Sequence, residues 1–265
     1  MTTSDAGTFH GDMAYLAVGV GPPVISIRPV MPSSDNPRGL TRWAEQRALA
    51  ALTRHFTVYS IGRRPGLTPG LTMSELAAHY AEAIDHGFGD AVDVLGVSTA
   101  GSVALQLAAD HPGLVRRLVV AATACRLGED GRRMQRRYAD LLARGGYRKA
   151  EAALSPAIAD SRLGQRLMSG VMALSPRPQD PGGMVAMLLA EDTFDLCGRL
   201  SDITAPTLVI AGERDRLYPP DLARRTADGI PGAALQMYPD RMHHTVARGP
   251  RFSADVTTFL TGAQS

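Results

Sequence analysis

Asp93-Val94-Leu95-Gly96-Val97-Ser98-Thr99-Ala100-Gly101-Ser102-Val103-Ala104 is the stretch on which the fold turns. A short apolar run enters Gly96, turns at Ser98 and leaves as a helix rich in Ala, Leu and Val. Gly-x-Ser-x-small between a strand and a helix is the pattern of a nucleophile elbow, in which a tight turn strains the serine and lifts its hydroxyl clear of the sheet. The small residues Gly96, Ala100 and Gly101 then allow the helix to cross back close to the strand. A plain strand-to-helix loop would use the same residue types, so the rest of the chain has to decide between the two readings.

Outward from this stretch, apolar runs at 14–18, 24–27, 56–61, 114–122, 207–211 and 235–238 alternate with helical patterns, among them 40–55 and 72–84. The first two runs, joined across Gly19-Val20-Gly21-Pro22-Pro23, read as a β-hairpin leading into a buried strand. In the 40–55 segment Leu40, Trp43, Ala44, Ala48, Ala51 and Leu52 form one stripe, the signature of an amphipathic helix. Thr72 and Glu75 have capping-box spacing. Strands that are apolar on both faces and separated by helices predict an α/β fold, a mostly parallel, doubly wound sheet of about eight strands. Such a sheet places Ser98 at the carboxyl end of a central strand, the edge where open α/β sheets bind ligands.

Between Cys125 and Asp202 the strand pattern stops, and helices are predicted near 132–143, 149–158, 163–174 and 184–190. This divides the chain into a core of 1–124 and 203–265 and a helical cap of 125–202. The arginines Arg132, Arg133, Arg136 and Arg137 repeat at helical spacing, as on a solvated face. The apolar residues Leu163, Leu167, Met168, Val171, Met172, Leu174, Met184, Met187 and Leu188 are expected to line a pocket.

A serine hydroxyl needs a base, and the base needs an orienting acid. The strand 207–211 runs into Gly212-Glu213-Arg214-Asp215, and the strand 235–238 runs into Asp240-Arg241-Met242-His243-His244. Acid and histidine therefore follow the serine in order, each just after a later strand. With the elbow, the Ala205-Pro206-Thr207-Leu208-Val209-Ile210-Ala211-Gly212 strand and the late histidine followed by Pro250, the chain resembles the α/β-hydrolase fold superfamily over nearly its whole length.

That resemblance implies a Ser98, Asp215, His243 triad. His244 is the alternative base, and Pro250, seven residues after His243, favours His243. Glu213 and Asp240 are further acids in the same loops. The resemblance also implies an oxyanion hole from the N–H groups of Thr99 and Val30, with Arg28-Pro29 standing where His-Gly is usual. Arg28 is a possible partner for a substrate carboxylate. No metal or organic cofactor is implied. The expected activity is hydrolysis of a carboxylic ester, thioester or lactone of a medium-sized, largely apolar small molecule. The alternatives are acyl transfer or cyclisation through the same triad, or ligand binding without catalysis.

The 28 basic and 26 acidic residues nearly cancel, which gives no general attraction to nucleic acid or an anionic membrane. Cys125 and Cys197 are too few and too far apart in sequence for a disulfide framework or metal cluster. With no signal-like N-terminus, this predicts a cytoplasmic enzyme.

Overall fold

A computed structural model describes residues 4–9, 12–155, 161–172 and 177–262. Eight strands form one sheet in the order β1-β2-β4-β3-β5-β6-β7-β8. They are β1 (Ser4–Phe9), β2 (Met13–Gly19), β3 (Pro23–Ile27), β4 (Thr57–Ile61), β5 (Val92–Val97), β6 (Val115–Ala121), β7 (Thr207–Gly212) and β8 (Ala234–Tyr238). β2 runs antiparallel to both of its neighbours, β1 and β4, and β3 to β8 pair in parallel.

The α/β class and the mostly parallel sheet are as the sequence predicts, but the hairpin is elsewhere. β2 and β3 are separated by β4, which pairs with both. The true hairpin joins β1 to β2 and turns through Asp12, whose φ is 67°. Two apolar runs joined by a Gly-Pro-rich turn look alike whether they pair with each other or with a third strand, since a crossover places strands from far along the chain.

Neighbouring strand residues sort onto opposite faces. Val94, Val120 and Val209 pack with α2 (Met73–Phe88) and α3 (Thr99–Asp110), through Leu76, Tyr80, Val103 and Leu107. Leu95, Val119 and Leu208 pack with Phe252, Val256 and Leu260 of the helix Pro250–Thr261. The period of two puts each residue of a central parallel strand in one of two cores, which is why these runs are apolar throughout. Thr72 and Glu75 make the expected capping box, with reciprocal bonds of 3.1 and 2.8 Å, and Gly89 ends α2 at a φ of 70°.

The helix α1 (Gly39–Leu49) differs from its predicted role. None of its residues is buried, and Leu40 and Trp43 are 78% and 60% exposed. Of the predicted stripe, Leu52, in the short turn after it, is buried in the core, and Leu49 packs partly against the same cluster. An amphipathic stripe records which residues could be covered, and here the helix meets the sheet side through Glu45 and Leu49 while the turn that follows is buried.

Between β6 and β7 lie the helices α4 (Glu129–Ala143), α5 (Tyr147–Ala153), Arg162–Met172 and Pro181–Asp192. Residues 156–160 and 173–176, where parts of two predicted helices fall, lie outside the described residues. Met184, Val185 and Leu188 form a small core with Tyr138, Leu142 and Ala150, and Met187 joins the main core. These side chains are therefore used in packing, while Leu163 and Leu167 face solvent. Arg136 reaches back to Asp192 at 2.7 Å.

The two cysteines, read in sequence as isolated, are bonded to each other with their Cα atoms 5.0 Å apart. The insertion leaves and rejoins the core at adjacent points: Leu196 N–H donates to the Cys125 carbonyl at 2.8 Å, and Arg126 bridges Asp195. Seventy-two residues of separation therefore close to a disulfide at the neck of the insertion. Among the described residues no helix is long and apolar enough to cross a membrane.

Candidate active site

β5 and α3 meet at Ser98, whose φ of 58° and ψ of −132° are far from ordinary L-residue geometry. The turn is held by the Ser98 N–H, which donates to the Ala121 carbonyl at 2.9 Å, and by the Gly101 N–H, which donates to the Ser98 carbonyl at 2.7 Å. A β-carbon at Gly101 would lie 2.7 Å from that of Thr123, so the helix start needs a residue without one. Backbone strain of about 1–3 kcal/mol at such a turn persists only where the surroundings over-determine it, as this packing does.

The loop after β7 carries Asp215, which is 4% exposed. Its Oδ1 accepts the Leu217 and Tyr218 N–H groups at 2.9 and 3.0 Å. Its Oδ2 lies 2.9 Å from Nδ1 of His243, which begins the short helix His243–Val246 after β8. His243 Nε2 lies 2.9 Å from Ser98 Oγ. One imidazole therefore touches both the hydroxyl and the carboxylate. This arrangement can remove a proton from Ser98 while Asp215 holds the ring and stabilises the imidazolium. His243, rather than His244, occupies that position.

Thr99 is the first residue of α3, so its N–H has no acceptor within the helix. Val30 is half-buried where the loop after β3 touches both the sheet core and the small core of the insertion. Arg28 is placed differently from a substrate partner: its guanidinium is used within the protein. Its Nε meets Glu45 at 2.9 Å and Ser60 at 3.2 Å, and its Nη1 meets the Ala14 carbonyl at 3.4 Å. It ties the loop after β3 to α1, β2 and β4, and forms one wall of a cavity of about 530 Å³ that Met31, Asn36 and Arg177 also line.

Glu191, at the end of the helix Pro181–Asp192, is the residue that sequence reading missed. It is fully buried and accepts hydrogen bonds from Thr99 Oγ1 and Ser102 Oγ, both at 2.8 Å, and from the Tyr218 hydroxyl. Burial pushes its carboxyl above the ordinary glutamate range, against the lowering effect of those hydroxyls. A carboxyl whose pKa is raised by folding holds its proton more tightly in the folded chain. Its contribution to stability is full below the ordinary glutamate range and declines as pH rises to the raised value. The stability difference between wild type and Glu191→Gln, followed by thermal melts, is therefore expected to change in that sense with pH; a pH-independent difference would contradict it.

Among the described residues no cluster of His, Cys, Asp and Glu is arranged to hold a metal ion. Residues 71–247 match the sequence profile of the family described as serine aminopeptidase, S33. A protein of Variovorax paradoxus (strain S110) named "Putative carbamate hydrolase RutD" is 32% identical over 205 residues, covering 75% of this chain and 77% of that one. A protein of the same name from Caulobacter vibrioides (strain NA1000 / CB15N) is 31% identical over 236 residues, covering 83% and 86%. The enol-lactonase from Burkholderia xenovorans LB400 superposes with a TM-score of 0.74 over 97% of this chain and all of its own, at 22% identity, a likeness of fold. With Ser98, His243 and Asp215 hydrogen-bonded in line at this sheet edge and a profile match over more than half its length, the chain belongs to the serine aminopeptidase S33 family of α/β-hydrolase-fold enzymes.

Proposed function

We propose that the protein is a serine hydrolase acting on the carbonyl carbon of a small ester, thioester, lactone or carbamate. The observation that carries this reading is His243, hydrogen-bonded at 2.9 Å to Ser98 on one side and to Asp215 on the other. Carbamates enter the substrate class because the Variovorax and Caulobacter relatives above 30% identity carry that activity in their names.

In the reaction, Ser98 Oγ attacks the carbonyl carbon as His243 Nε2 takes the hydroxyl proton. The carbonyl oxygen becomes an anion that the N–H groups of Thr99 and Val30 stabilise. Collapse of this intermediate breaks the bond to the leaving group, which receives the proton from His243. Water then adds to the acyl-enzyme with His243 again as base, and Ser98 regains its proton as the acid product leaves. Residues 125–202 act as a cap over the site.

Burst kinetics test the reading. Mixing enzyme with p-nitrophenyl acetate or a p-nitrophenyl carbamate should release close to one equivalent of nitrophenol per site before steady turnover, and Ser98→Ala should remove both phases. Turnover that survives in Ser98→Ala would overturn it. Addition of methanol separates hydrolysis from acyl transfer by whether the free acid or the methyl ester accumulates.

A further inference from the structure

We propose that Glu191 is a positioning residue through which the helical insertion sets the geometry of the Ser98 site, an inference that rests on the triad reading above. A carboxylate removed from water is costly unless its oxygens are bonded. Here three of the partners are hydroxyls, alongside the Gln135 side chain, and each hydroxyl belongs to a strategic place. Thr99, whose Oγ1 lies 2.8 Å from Glu191 Oε2, is the residue beside Ser98 whose N–H the proposed reaction uses to stabilise the oxyanion. Tyr218 donates its hydroxyl to Glu191 Oε1, stacks its ring on His243 with centroids 5.8 Å apart and planes 23° apart, and gives its N–H to Asp215 at 3.0 Å. Ser102, one turn along α3, bonds the same carboxylate oxygen at 2.8 Å and lies 3.2 Å from both Tyr218 and Thr123.

One side chain from the insertion therefore touches Thr99 directly and reaches His243 and Asp215 through the single intervening residue Tyr218. A leucine at this position would fill the space without the cost of burying a charge. The specific work of the carboxylate is to fix three hydroxyls at once, and through them the spacing between Thr99 and His243. Misplacement of a reacting group by about 1 Å costs on the order of 100-fold in rate, so small relaxations at this point are kinetically large. Glu191 itself does not touch substrate in this account.

The test measures kcat and KM for p-nitrophenyl acetate and the rate of phosphonylation by a fluorophosphonate, both normalised to titrated active sites. Glu191→Ala leaves three buried hydroxyls without their acceptor and is expected to lower kcat and the phosphonylation rate by about 10- to 100-fold, with KM within about threefold. Glu191→Gln is expected to stay within about fivefold of wild type, because its carbonyl still accepts and the hydroxyls can rotate to accept from its NH₂. Normalisation removes losses due to misfolded protein. Where Glu191→Ala does not fold, Tyr218→Phe and Thr99→Val remove one hydroxyl each and are expected to slow phosphonylation about 3- to 10-fold per site.

Rates per site equal to wild type in these variants, with only the melting temperature lowered, would overturn the proposal in favour of a purely structural role. A raised KM at unchanged kcat would overturn it in favour of substrate binding. Wild type that fails to phosphonylate at Ser98 would instead overturn the triad reading, so the two failures are distinguishable.

Discussion

Asp215→Asn is expected to lower kcat by about 10⁴-fold while leaving the fold and melting temperature nearly unchanged. The reason lies in which atoms surround the carboxylate. Two backbone N–H groups, from Leu217 and Tyr218, donate to Oδ1, while Oδ2 faces His243 Nδ1. An asparagine has one carbonyl oxygen, and the two N–H donors hold it on their side. Its NH₂ is then turned toward Nδ1 of the imidazole, where two donors cannot meet. The ring answers by moving its proton to Nε2, the atom that faces Ser98. The base is thereby protonated where it has to accept, and the serine proton has nowhere to go. Turnover of p-nitrophenyl acetate measures the loss, and circular dichroism checks the fold. A loss under tenfold would show that Asp215 is not the orienting acid and return attention to Glu213 and Asp240.

Gly96→Ala is expected to destabilise the protein by about 3 kcal/mol, at the upper end of overpacking costs, and to lower the melting temperature by roughly 6–12 °C. A β-carbon there would lie 2.8 Å from the Ala100 carbonyl carbon and 2.8 Å from the Ala104 β-carbon, and closer still to the Ala100 oxygen. The obstacle is mostly backbone of the helix that starts at the elbow, so α3 has to move away from β5 as a unit. That displacement carries Ser98 with it, and per-site phosphonylation is expected to slow as well. Gly113→Ala is the control, since a β-carbon there meets nothing within 4 Å. Equal melting temperatures for the two variants would show that the elbow tolerates a side chain and that its glycine has no steric role.

The elements legible in the sequence are those set by local chemistry. A buried parallel strand is an unbroken apolar run, Thr72 and Glu75 satisfy each other across one turn, and Gly96, Ser98 and Gly101 lie within one tight crossing. The order of Ser98, Asp215 and His243 was legible for the same reason, since each follows directly on its own strand. What escaped depends on contacts made far along the chain. β4 entering between β2 and β3 is decided by a crossover, not by the residues of the turn that imitates a hairpin. Cys125 and Cys197 look unrelated until the insertion closes its neck.

The same limit applies to charge. Glu191 reads as an ordinary polar residue at a helix end, and only the approach of α3 and the loop after β7 makes it a buried acceptor for three hydroxyls. Arg28 reads as a residue able to reach substrate until Glu45 and Ser60 are seen to engage it. Neither partnership has a periodicity that could have announced it.

Covalent labelling is the most direct test of the central claim that Ser98 is the nucleophile. Wild-type protein treated with a fluorophosphonate should gain the mass of a single adduct, and peptide mapping should place it on Ser98. The Ser98→Ala protein should remain unmodified under the same conditions. An adduct on another residue, or labelling that persists undiminished in Ser98→Ala, would contradict the account.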